Sequence, residues 1–201
     1  MTAAPLPYEP AEPVPTGAGP PPEPGEVDTL PGRLVGIFIS PGHDYWGKRG
    51  AGRMQHGIRS VDSVQAEAMH GLVGDRYHRP PKPPPLRRHP FGRRDQVTLL
   101  SAATVDEVRR RWRLRDLPAG VFRRNLLVAL DDGVDLAGWL DRRFRIRGQD
   151  VILEGSQECT PCHWMDRCIA EGVMDYLKTP FRGGLRARIL TSGTLHVHTD
   201  G

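Results

Sequence analysis

Apolar positions along this 201-residue chain fall in short runs broken by glycine, proline and charge. That spacing predicts many short strands and few helices. The first run, Leu34-Val35-Gly36-Ile37-Phe38-Ile39, ends at Ser40-Pro41-Gly42 and reads as a buried strand. Ile58 and the stretch from Val61 to Val64 hint at another, and Gln96-Val97-Thr98-Leu99-Leu100 is a further one. Ser101 then serves as the N-cap of a helix running to about Arg113, because Val105, Val108 and Trp112 recur on one face. Leu126 to Leu130, Phe144 to Arg147 and Val151 to Glu154 read as strands, parted by turns at Asp131-Asp132-Gly133 and Gly148-Gln149-Asp150. Leu136 to Leu140 makes a short helical turn between them, and a helix covers part of residues 163–177. Arg188-Ile189-Leu190 and Thr194 to His198 are predicted to pair as a terminal hairpin around Ser192-Gly193. With no internal repeat, the expected fold is a β-rich (α+β) barrel with a few short helices.

The apolar pattern begins only at Gly32, which divides the chain. Residues 1–32 hold ten of the 20 prolines and are expected to be a disordered Pro/Glu-rich tail, too poor in apolar surface to offset the entropy of ordering. Residues 33–201 are expected to form one domain. Between its strands, residues 79–94 read as an irregular loop dense in proline and arginine.

Charge follows the same division. Glu9, Glu12, Glu23, Glu26 and Asp28 give the tail −5, so a net charge of +4 leaves +9 on the body. A basic body suggests an anionic partner. Lys48, Lys82 and Lys178 are the only lysines, leaving 25 arginines among 28 basic residues. Arginine suits bidentate recognition of oxyanions, whereas so few lysines make pyridoxal phosphate chemistry within the chain unexpected. The basic run Arg109-Arg110-Arg111 falls on the solvated face of the predicted helix, so no nucleic-acid partner is expected. No apolar run approaches the roughly 20 residues of a membrane span, and no signal peptide is evident. A cytoplasmic protein without a membrane partner is expected.

Three cysteines lie within ten residues, in Glu158-Cys159-Thr160-Pro161-Cys162-His163 and at Cys168. Clustering so tight marks a local site rather than a disulfide framework. The segment follows a strand and precedes a predicted helix, whose positive end would favour the Cys162 thiolate. Zinc held with Cys168 and His163, a dithiol redox pair and inert packing cysteines all fit the local pattern. Two arginine clusters suit anions: Arg123-Arg124-Asn125-Leu126 before a strand, and Arg182-Gly183-Gly184-Leu185-Arg186, whose glycines permit close backbone approach. His196 and His198 alternate on one strand but have no third ligand in view.

Taken in order, Gly71-Leu72-Val73-Gly74-Asp75-Arg76, Asp95-Gln96-Val97-Thr98-Leu99, Arg123-Arg124-Asn125-Leu126, Cys159-Thr160-Pro161-Cys162 and Arg182-Gly183-Gly184-Leu185-Arg186 resemble the MOSC family, named for the C-terminal domain of molybdenum cofactor sulfurase. The resemblance covers residues 33–201 and implies a MOSC-type β-barrel whose pocket cysteine, here Cys162, ligates molybdenum or carries sulfur as a persulfide. By motif position it implies Arg123, Asn125 and Thr160 as holders of a molybdopterin cofactor, with Asp75, Arg76 and Asp95 from neighbouring loops; Arg182 and Arg186 join them as oxyanion candidates. Two activities follow from it: reduction of N-hydroxylated compounds with electrons from a protein partner, or sulfur carriage with sulfur supplied by a partner desulfurase. Neither the extra N-terminal domain of the reducing members nor the pyridoxal phosphate domain of the sulfurases is expected within these 201 residues. It also ends in Thr194 to Gly201 where the family usually has a Val-Gly-Asp-type turn and a further strand.

Overall fold

The computed structural model describes residues 26–42, 57–78 and 96–198. The expected tail therefore lies outside the described residues as far as residue 25, as do the loop at 79–94, Asp95, Lys48 and Lys82.

The strands are β1 (Asp28–Leu30), β2 (Gly32–Ile39), β3 (Arg59–Val61), β4 (Ser63–Glu67), β5 (Gly71–Leu72), β6 (Val97–Ser101), β7 (Leu126–Leu130), β8 (Arg143–Ile146), β9 (Leu153–Glu158), β10 (Leu185–Ile189) and β11 (Gly193–His196). The helices are α1 (Ala102–Arg111), α2 (Trp164–Cys168) and α3 (Val173–Leu177), with 3-10 turns at Ala119–Phe122 and Ala137–Trp139. Eight strands join in the order β1-β8-β9-β10-β6-β7-β2-β3, and β11-β4-β5 form a second sheet. The β-rich expectation holds. Among the described strands the larger sheet ends on β1 and β3, and hydrogen bonding does not close it into a ring.

Alternation explains which face each strand buries. In β10, Leu185, Ala187 and Ile189 are buried while Arg186 and Arg188 are only partly so, the two-residue period of a sheet with unlike faces. The inner residues of both sheets, Leu34, Val64, Leu99, Val128, Phe144 and Leu195 among them, share one core. The outer face of β6 is covered instead. There Leu100 packs with Val105, Val108, Trp164, Val173 and Tyr176 from the three helices. Helix α1 links β6 to β7, which run parallel, as a crossover connection requires. Ser101 is its N-cap as expected but makes no side-chain cap bond, and Arg109, Arg110 and Arg111 fill its last turn, where positive charge suits the helix dipole.

Four expectations are corrected. Residues 28–32 belong to the fold rather than the tail, because β1 pairs in parallel with β8 and Leu30 is fully buried. The terminal hairpin does not form: β10 pairs with β9 and β6, and β11 crosses to β4. Gln149 holds β11 there, accepting from His196 N–H at 2.9 Å and donating to His196 C=O at 3.0 Å. The helix sought in residues 163–177 is two five-residue helices, separated at Gly172, whose φ of 85° lies in the left-handed region. The strand placed at Val151 to Glu154 begins at Leu153 and runs to Glu158, so that it ends at the cysteine segment.

Candidate functional site

Strand β9 ends, β10 begins and β7 begins around a cleft of about 190 Å3 lined by Arg76, Tyr77, Thr98, Arg123, Arg124, Cys159, Thr160, Cys162, Met165 and Arg186. Residues distant in sequence meet because the strands that carry them are neighbours. Arg186 stands directly opposite Thr98 in the β10–β6 ladder, and Arg123 and Arg124 immediately precede β7. No aspartate or glutamate lines the cleft among the described residues.

Cys162 is a free, half-buried thiol, and Thr160 beside it is exposed. Helix α2, expected to offer a positive end to this thiol, has only five residues and carries too short a dipole to matter. The positive charge around the thiol comes instead from the arginines lining the cleft. Cys159 also lines it and is 2% exposed, whereas Cys168 does not and packs with the helical cluster. Among the described residues no group of three or more His, Cys, Asp or Glu side chains is placed to hold a metal ion, which argues against the zinc reading.

Three of the four arginines have different employments. Arg124 donates from Nε to Gly183 C=O at 2.7 Å, from Nη1 to Phe122 C=O at 3.2 Å and from Nη2 to Cys159 C=O at 3.4 Å, so it ties the cleft walls together. Arg123, in the left-handed region at φ 55°, donates to Gly42 C=O at 3.0 Å. Arg76 is the outlier. Its side chain is 8% exposed, its guanidinium stacks 4.5 Å from the Tyr77 ring, and the nearest carboxylate oxygen among the described residues, on Asp75, is 4.0 Å away. Its Nε has no hydrogen-bond partner among the described residues. A buried guanidinium so poorly paired is costly unless an anion completes it.

Several sequence-named residues act through others. Asp75 accepts from Ser40 N–H at 3.0 Å and Tyr77 N–H at 3.1 Å, which fixes the loop presenting Arg76 and Tyr77. Asn125 does not line the cleft. Its Oδ1 accepts from Thr98 N–H at 3.1 Å and Thr98 Oγ1–H at 2.9 Å, and its Nδ2 donates to Phe38 C=O at 3.2 Å, fastening β6, β7 and β2. Arg182 turns away, stacking 4.5 Å from the Tyr176 ring. Asp95 lies outside the described residues. The glycines of the second arginine cluster serve the fold: a Cβ at Gly183 would meet Cys159 C=O at 2.1 Å, and one at Gly184 would meet Leu99 C=O at 2.1 Å. Tyr77, Thr98 and Met165 were not among the residues named from sequence as the site, and Arg124 and Cys159 were named only as members of its motifs. Their signals were present: Tyr77 follows Arg76, and Met165 lies three residues beyond Cys162.

The family model for the MOSC domain matches residues 86–200. Among solved structures, YuaD from Bacillus subtilis is 13% identical, with a TM-score of 0.58 over 83% of this chain and 91% of that one. YiiM from Escherichia coli is 14% identical, with a TM-score of 0.54 over 82% of this chain, which spans 65% of the YiiM chain. YiiM from Geobacillus stearothermophilus is 13% identical, with a TM-score of 0.52 over 83% and 71% of the two chains. At such identities the likeness is one of fold. No curated protein matches. On the family match over more than half its length, the chain belongs to the MOSC domain family.

Proposed function

We propose that this protein binds a molybdenum-pterin cofactor in the arginine-lined cleft, with the Cys162 thiolate as a metal ligand. The observation that carries the reading is the sharing of one cleft by a free thiol and by Arg76, a buried guanidinium that no carboxylate closely pairs among the described residues. A soft thiolate suits a soft metal centre and guanidinium suits a phosphate. The cleft volume of about 190 Å3 is below the ~300 Å3 at the lower end of small-molecule sites. The described walls would therefore take only one end of such a cofactor. Arg76, Arg123 and Arg186 would hold its anionic groups and Thr160 would offer a hydroxyl, while Asp75, Asn125 and Arg124 keep these residues in place. When bound, the cofactor would supply two-electron chemistry, and the chain would contribute binding, charge neutralisation and the thiolate. Reduction of N-hydroxylated compounds would draw electrons from a protein partner.

The half-buried, free Cys162 thiol also fits a persulfide carrier, and one measurement separates the two. Protein purified from a molybdenum-replete host is expected to carry molybdenum and pterin near one per chain, and Cys162→Ala to lose the metal. Absence of both, with a cyanide-labile sulfur that Cys162→Ala abolishes, would replace the cofactor reading with sulfur carriage.

A further inference from the structure

We infer that Cys159, Cys162 and Met165 form a binding site for a thiophilic monovalent d10 cation of the copper(I) type. This does not rest on the pterin reading, although it uses the same thiol. The three residues recur at intervals of three, and all line one cleft. Met165 N–H donates to Cys162 C=O at 2.9 Å. A bond between residues three apart brings their side chains to one side of the chain. Cys159, whose N–H donates to Gly184 C=O at 2.8 Å, lines the same cleft from the end of β9. Filling a buried position needs only an apolar side chain, and Met165, 1% exposed within the helical cluster, does that. Packing alone does not call for two thiols and a thioether around one opening.

The donor set selects the ion. Two thiolates and a thioether are soft ligands that favour copper(I), while hard cations demand oxygen donors and structural zinc demands four ligands. No carboxylate or imidazole lines the cleft among the described residues. Binding would release two thiol protons and leave one net negative charge on the ion with its two thiolates. Arg76, Arg123 and Arg186 surround that charge with guanidinium groups. The cleft is much wider than a bare ion, so the three side chains must turn their sulfurs inward to reach it.

The test is an anaerobic titration of metal-free, pterin-free full-length protein with copper(I), in competition with a chromogenic copper(I) chelator. One ion per chain is expected, with zinc(II) bound far more weakly. Loss of an outer-shell partner costs about 10–100-fold in metal affinity, so Cys159→Ser and Cys162→Ser should each lower affinity by more than about 100-fold and Met165→Leu by about tenfold. Cys168→Ser should change nothing. Unchanged affinity in Cys159→Ser or Met165→Leu, or zinc(II) bound as tightly as copper(I), overturns the proposal. Should Cys159→Ser fail to fold, X-ray absorption of the wild-type complex decides: three sulfur neighbours support the site and two or fewer overturn it. Because no pterin is present, the outcome is read independently of molybdenum content.

Discussion

At the scale of single residues, two arginines of one cleft make opposite predictions. Arg124 spends its guanidinium on three backbone carbonyls, so Arg124→Met leaves buried acceptors unmet. Hydrogen bonds to charged groups contribute about 1.5–3 kcal/mol each, though not additively, so a loss of about 2–4 kcal/mol is expected in urea unfolding of the ligand-free protein. Among the described residues Arg76 has no such backbone partners, only its stacking on Tyr77 and a long 4.0 Å contact with Asp75, whose carboxylate is already held by two backbone N–H groups. That stacking contributes about 0.5–1 kcal/mol, and removing a poorly paired buried charge offsets it. Arg76→Met should therefore leave the ligand-free protein as stable as wild type or more so, while impairing cofactor retention. Destabilisation of Arg76→Met equal to that of Arg124→Met would show that Arg76 is structural. This division of labour was not legible in the sequence. Arg123-Arg124-Asn125 marks the place, but that both arginines line the cleft while Asn125 does not depends on β6 and β10, which lie far away in the chain.

At the scale of elements, local patterns were legible where one strand buries one face. Leu126–Leu130 and the helix after Ser101 fall where periodicity put them. What failed was pairing. Arg188-Ile189-Leu190 and Thr194 to His198 alternate well and flank a turn, yet β10 and β11 enter different sheets because Gln149 and β4 supply partners that local spacing does not reveal. The helical layer offers a test of its own. Helix α3 docks on α1 through Tyr176, whose ring meets that of Trp112 edge-on at 5.5 Å. Burial, followed by the neighbouring Glu107, pushes the Tyr176 hydroxyl up to about 12, against the opposing pull of Arg182 and Arg111. The unfolded chain gives up this proton near pH 10 while the folded one retains it, so this stability is fully present below pH 10 and is lost as pH rises through about 12. Two units correspond to an upper bound of about 2.7 kcal/mol. Tyr176→Phe should flatten the fall in thermal midpoint between those pH values, and an identical fall in both proteins would remove Tyr176 as its source.

At the scale of the whole molecule, the basic surplus on residues 33–201 resolves into two populations. Arg142, Arg147 and Arg188 are paired with Asp28, Asp131 and Glu154 on the sheet surface. The cleft arginines have no carboxylate among the residues lining it, so the anion preference read from composition is concentrated there. The Asp28 pair also shows why the domain boundary was misplaced. Proline density and acidic charge continue to residue 31, yet the fold begins with a three-residue strand too short to show periodicity. That strand covers the edge of β8. Leu30 is fully buried, Arg147 N–H donates to Leu30 C=O at 3.3 Å and Asp131 N–H to Pro31 C=O at 3.1 Å. Burial of one leucine contributes about 1.5–3 kcal/mol and each hydrogen bond about 1 kcal/mol. A chain starting at Arg33 should therefore be less stable than one starting at Glu26 by about 3–5 kcal/mol. That is a large share of the 5–15 kcal/mol that holds a typical domain folded. The comparison is made by urea unfolding of the two truncated chains. Coincident midpoints would place β1 outside the cooperative unit and restore the boundary at residue 33.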